Sequence, residues 1–162
     1  MAKPHKIKNV SADDPLEDVV ERILGTRLKE FYSHWPDPQR PATFEQIHDL
    51  RIAGKRLRYS AESLRELYSD QLSLLIDILK RSQDLLGEIQ DCVTQRHLIE
   101  ADLKRMKQQK KEGSDLSLLE KIIAEYDERQ AKLYTQFREI WRGMTIKQFR
   151  RSLKMMVSDP SQ

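Results

Sequence analysis

One cysteine, five glycines and six prolines in 162 residues leave several classes of protein without their raw materials. Cys92 has no partner within the chain, which excludes a disulfide scaffold. Such sparse Gly and Pro argue against a sandwich or barrel, whose many tight turns consume both. No apolar run approaches the ~18–20 residues a membrane-spanning helix needs. Met1–Val10 is too polar for a signal h-region, so a cytoplasmic protein without a membrane partner is expected. A dominant sign of charge is missing too: 29 basic against 26 acidic residues leave a net +3, which names no partner.

What is present is charge in quantity and a helical rhythm. Asp, Glu, Lys and Arg make up 34% of the chain and hydrophobic residues 38%. Leu16, Val19, Val20, Ile23, Leu24, Leu28 and Phe31 recur at helical spacing behind possible caps at Ser11, Asp13 or Asp14, and that helix must end before Pro36. Pro36, Pro38 and Pro41 mark a stiff loop. Thr43 and Gln46 form a capping-box pattern at the start of a second helix running to about Tyr68. A third, capped by Ser69 or Asp70, meets no breaker but Gly87 before Gly113. Asp115 opens a fourth, with Leu119, Ile123, Tyr126, Gln130, Leu133, Phe137, Ile140, Trp141 and Met144 in one stripe, and Thr145 a short fifth with Ile146, Phe149, Leu153, Met156 and Val157 inward. The expected fold is all-α: a flexible tail over residues 1–10, then a single domain over 11–162, a four-helix bundle of long antiparallel helices plus a short C-terminal helix.

The charges are segregated. At about 100° per residue, with His48 at zero, Leu50, Ala53, Gly54, Leu57, Ala61, Leu64 and Tyr68 cluster within about 140–240° as a core face. His48, Arg51, Lys55 and Arg58 fall within about 280–360°, one stripe beside that face, while Arg56 lies near 80° on the opposite flank. Four cationic positions at i, i+3, i+7 and i+10 span about 15 Å. Aligned like charges cost a helix a few tenths of a kcal/mol per pair, so the row suits a linear polyanion unless Asp49 or acids on helix three neutralise it. On helix three, Leu72, Leu75, Ile76, Leu79, Gln83, Leu86, Gln90, Val93 and His97 form one stripe, and Leu74, Ile78, Leu85, Ile89 and Cys92 a second, so the helix either contacts neighbours on two sides or forms a subunit interface. Gln83, Gln90 and His97, every seven residues, suggest a polar layer or a groove edge. Gly87 suggests a close helix approach, and Lys80 stands where it could reach toward the row. Lys147, Arg150, Arg151 and Lys154 form a second basic face.

The segment from His48 to Glu62 (HDLRIAGKRLRYSAE), followed by Gln83 to Asp91 (QDLLGEIQD), resembles the CHAD family, the conserved histidine α-helical domain. The resemblance is strongest over Phe44–Leu98. It implies a helical bundle that binds inorganic polyphosphate through a basic surface, with His48, Arg51, Lys55 and Arg58 facing the polyphosphate, and Leu86, Gly87 and Asp91 packing helix three beside them. Lys80, Lys147, Arg150 and Lys154 complete the candidate site. A full CHAD domain looks like two such bundles in tandem, and this chain carries one motif copy, closest to the C-terminal repeat. A homodimer would rebuild the tandem, and association with polyphosphate granules is an expectation of the same kind. The sequence has no Gly-rich phosphate loop, no paired Cys/His spacing and no Glu-x-Glu-x-Lys pattern, so neither catalysis, cofactor nor metal is expected. Alternatives are a nucleic-acid-binding helical protein, against which few aromatics and no recognised motif argue, and a helical protein–protein adaptor.

Overall fold

The computed structural model describes residues 3–36, 42–66, 68–109, 114–142, 147–148, 151–152 and 155. Four helices follow one another: α1 (Leu16–Ser33), α2 (Phe44–Ser63), α3 (Ser69–Gln108) and α4 (Ser114–Ile140). The fold is the all-α helical bundle expected, and no strand occurs among the described residues. Of the fifth segment, Lys147, Gln148, Arg151, Ser152 and Met155 are helical. Its expected inward residues and Met144 lie outside the described residues.

Local chemistry explains most of the helix ends. Thr43 accepts a hydrogen bond from the Gln46 amide at 3.2 Å, and the Gln46 side chain accepts one from the Thr43 amide at 2.9 Å, so the capping box is complete. α1 starts after Pro15 with no side-chain cap. Asp14 is turned back instead, accepting from the Ser11 amide and pairing with Arg22. α3 starts at Ser69 without a side-chain cap and runs 40 residues through Gly87, about 60 Å. α2 stops at Ser63, short of Tyr68, in a turn at Leu64.

Cross-helix contacts give an antiparallel order. α1 meets α2 through Glu30 and Arg56, α2 meets α3 through His48 and Gln90, and α3 meets α4 through Lys107 and Glu120 at one end and Ser82 and Trp141 at the other. Phe31 and Trp35 of the α1 end pack on Phe137 and Trp141 of the α4 end, with ring centroids 4.8–6.5 Å apart, closing the bundle. Trp141 donates through Nε1 to Ser82 Oγ at 2.8 Å, and Ser82 donates to the Ile78 carbonyl, so the indole is buried with its polar atom satisfied. Leu24, Leu28, Ile47, Leu50, Leu57, Leu72, Leu79, Leu86 and Ile89 fill the interior. Cys92, 3% exposed, packs as a small hydrophobe, and burial pushes its thiol pKa up.

One carboxylate lies inside this apolar assembly. Glu30 is fully buried, paired with Arg56 of α2 at 2.5 Å and Arg27 of α1 at 2.9 Å, and it accepts the His5 amide at 3.2 Å. Residues 3–10, expected as a flexible tail, have no regular secondary structure but lie along α1, with Arg27 also donating to the His5 carbonyl and Arg22 to the Asn9 carbonyl. Burial alone would raise the Glu30 pKa, but the hydrogen bonds from Arg56, Arg27 and the His5 amide outweigh it and hold the carboxyl below its ordinary 4.5. A depressed carboxylate contributes stability that is present above its unfolded pKa and lost as pH falls through the folded one. Glu30→Gln is therefore expected to cost about 2–3 kcal/mol in urea unfolding at neutral pH, somewhat less than a wholly buried pair because both arginines keep some solvent. The deficit should shrink as pH drops below about 4.5, since the wild type loses the same charge there.

Candidate functional site

Rotation of α2 about its axis decides where its cations go. Ile47, Leu50, Ala53, Gly54, Leu57 and Ala61 face the core. That is the expected face with Ile47 added, which sits at its edge on the wheel. Arg56 leaves on the α1 flank to reach Glu30, as its place outside the row implied. His48, Arg51, Lys55 and Arg58, all half-buried, therefore lie along the opposite flank, beside α3.

The contacts with α3 are polar. Gln90 Nε2 is 3.4 Å from His48 Nδ1, within reach of a hydrogen bond. The Phe44 ring lies parallel to the imidazole, centroids 6.2 Å apart. One turn on, Arg51 lays its buried Nε over Gly87, 4.0 Å from where a Cβ on that glycine would stand. Gly87 is thus the seat of an arginine and not a point where two helix backbones touch. Gly54 is the crowded glycine: a Cβ there would be 3.3 Å from the Phe31 ring and 3.6 Å from Gln83 Nε2. Gln83 is buried and Gln90 half-buried on this seam, whereas His97 is exposed and pairs with Glu100 at 3.6 Å, so the expected polar layer has two members. Arg51 Nε, Arg58 Nε, Gln83 Nε2 and Gln90 Oε1 are buried polar atoms with no hydrogen-bond partner among the described residues.

The acids that could have neutralised the row mostly do not. Arg58 stands 3.7 Å from Glu62 and over the Tyr59 ring at 4.9 Å. Arg51 and Lys55 have no carboxylate within 4.0 Å among the described residues. On α3, Leu86 is in the core, but Asp91 is exposed and pairs with none of the row, so only part of the expected packing element packs. Lys80 is exposed, and in the antiparallel register of His48 with Gln90 and Arg51 with Gly87 it stands level with Arg58. Lys147 is exposed on a helical turn. Arg150 and Lys154 lie outside the described residues, and among the described residues no hydrogen bond or ion pair joins Lys147 to α2. The second stripe of α3 is largely consumed by the fold: Ile89 and Cys92 are buried, Ile78 and Leu85 pack against the core, and Leu74 alone is exposed, at 66%.

The architecture is therefore a helical bundle carrying an ordered, largely unneutralised cation row along an inter-helix groove. The CHAD domain family matches residues 2–100, more than half of the chain, and the chain belongs to that family. The matched span holds α1, α2 and α3 as far as Glu100, where α3 has passed the start of α2. No curated protein and no solved structure matches the chain. No helix among the described residues is long and apolar enough to cross a membrane, and no group of three or more His, Cys, Asp and Glu among them could hold a metal ion.

Gly87 offers a direct check on the seam. A Cβ there meets nothing nearer than Arg51 Nε, so Gly87→Ala is expected to stabilise the fold in urea unfolding by about 0.5–1 kcal/mol through helix propensity. Gly54→Val, forced against the Phe31 ring, is expected to destabilise it by about 1–3 kcal/mol.

Proposed function

We propose that this protein is a non-catalytic binding module for inorganic polyphosphate, which it holds along the α2 face through His48, Arg51, Lys55 and Arg58. The observation that carries the reading is the lack of carboxylate partners for Arg51 and Lys55 within a row that already suffers its own repulsion. Elsewhere some surface cations are answered, Arg96 by Asp127 and Glu100, Arg105 by Asp102, Lys107 by Glu120, Arg129 by Glu88 and Arg142 by Glu139, while others such as Lys29, Arg65 and Lys121 have no such partner among the described residues; what sets the row apart is the alignment of its charges. A row that a linear polyanion neutralises gains from alignment what a bare helix loses by it. Arginine forks grip phosphoryl oxygens in pairs, and lysine adds a mobile point charge.

The groove beside α3 gives the ligand a wall as well as charges. Gln90 holds the imidazole of His48 at one end, and Lys80 stands level with Arg58 at the other. Membership of the CHAD family supports the same ligand. Lys147, with Arg150 and Lys154, would lengthen the cationic track if the C-terminal segment folds beside α2.

Binding driven by counterion release weakens steeply with salt. Arg51→Glu, Lys55→Glu and Arg58→Glu together are expected to abolish binding of long-chain polyphosphate while far-UV CD stays helical. Arg105, Lys121 and Arg142, changed together to Glu, alter net charge equally on exposed sites away from the row and should leave binding within a fewfold of wild type. Single neutral replacements in the row should each lower the slope of log affinity against log salt by about 0.7. Undiminished binding by the row triple, or equal loss in the control triple, refutes the assignment. Preference for DNA over polyphosphate at matched phosphate concentration refutes the ligand.

A further inference from the structure

The α3–α4 hairpin outruns the helices packed on it. In the register of His48 with Gln90, Phe44, the first residue of α2, stands level with about residue 94 of α3. On the other side Trp35 stacks on Phe137, so α1 ends beside the last turns of α4. Among the described residues, 95–108 of α3 and 115–125 of α4 lie beyond the start of α2, over about 15–20 Å, while Tyr126 still packs against the core and Arg129 pairs with Glu88. Val93 is the last buried residue of α3 and Leu133 the first of α4, and no described residue between them is buried. Ion pairs hold this stretch in register, Arg96 to Asp127 at 2.7 Å and Lys107 to Glu120 at 2.8 Å, but no other described helix roofs it.

One side of the hairpin is an open groove floored by Leu103 and Ile123 and rimmed by Glu100, Lys104, Lys107 and Glu120. Glu100 and Lys107 follow Leu86 and Val93 at seven-residue steps, so the groove continues the face that α1 and α2 cover lower down. We propose that a second copy of this chain covers it, two hairpins packing groove to groove about a two-fold axis to make a four-helix bundle. Charge selects this occupant. The rim holds two lysines and two glutamates, with Lys107 paired to Glu120 and Glu100 to Arg96, so it carries little net charge either to repel a copy of itself or to draw a polyanion. A two-fold interface demands self-complementarity, which a surface bearing both signs at its edges supplies when lysines of one copy meet glutamates of the other. The apolar floor then gains the missing layer. Two hairpin faces of this length bury about 1,000 Å² in total, the low end for specific interfaces, which makes the dimer reversible. The second stripe of α3 cannot serve instead, because the fold already covers all of it but Leu74.

Sedimentation equilibrium of the full chain tests the inference. The mass is expected to rise with concentration from 19.2 kDa toward twice that value, with a dissociation constant of order micromolar. Leu103→Glu with Ile123→Glu should weaken association about tenfold or more with the helical CD spectrum kept. If that pair loses helix, Lys104→Glu with Lys107→Glu, both exposed, makes the rim wholly acidic and should weaken association by a similar factor, partly restored by salt. Leu74→Glu should change nothing. A 19.2 kDa mass across the whole concentration range overturns the proposal. So does a dimer indifferent to both groove pairs, or one abolished by Leu74→Glu.

Discussion

The buried carboxylate of Glu30 constrains everything the surface of this protein can do. A charge in an apolar interior is tolerated only when its partners are held in place, and its partners here come from three parts of the chain: Arg27 on the same helix, Arg56 on the next, and the amide of His5. The pair with Arg56 clamps the rotation of α2 about its own axis. With Arg56 committed to α1 and Leu50, Ala53 and Leu57 to the core, the remaining flank can only face α3, and on that flank lies the cation row. An interaction on one side of the helix thereby presents the charges on the other.

The seam between α2 and α3 differs in kind from the core beside it. The interior is filled by Leu, Ile and a closing knot of Phe31, Trp35, Phe137 and Trp141, in which the indole nitrogen of Trp141 is satisfied through Ser82. Along the seam, Arg51, Arg58, Gln83 and Gln90 each keep a buried polar atom without a hydrogen-bond partner among the described residues, as Arg96 and Tyr134 do elsewhere, and Arg51 and Lys55 have no carboxylate partner among them. Gly87 belongs to this pattern. A helix interior gives up stability for a glycine, and Gly87 lies beneath Arg51, whose Nε would only just touch a Cβ there at 4.0 Å.

Helix lengths divide the molecule between two kinds of surface. α1 and α2 are 18 and 20 residues long, α3 is 40 and α4 is 27, so the last two must extend past the first two. The shared part holds the core, the Glu30 clamp and the cation row. The overhang holds a balanced, apolar-floored groove with no roof among the described residues. An unneutralised row suits a polyanion and a balanced rim suits another protein surface, so the two regions do not compete for one partner.

Much of this was legible in the primary structure, because it depends only on local rules. Helical periodicity, the Thr43–Gln46 capping box and the prolines after His34 place α1 and α2, and a wheel drawn on α2 separates its core face, its cation row and the outlying Arg56. The two motif segments place the chain in its family. Other features depend on which element lies opposite, and no local rule reports that. Gln90 beside His48, Arg51 over Gly87 and Ser82 under Trp141 join residues 36 to 59 positions apart. Glu30 reads in sequence as one more surface acid, since a lone Glu three residues from an Arg carries no sign of burial. The second stripe of α3 fits either neighbours on two sides or a subunit interface, and burial of Ile89 and Cys92 within the fold settles for the first. The amino-acid order determined which faces each helix has, since side-chain direction follows the helical repeat. Only the tertiary structure decided which of those faces are covered, because burial depends on the lengths and registers of neighbouring helices.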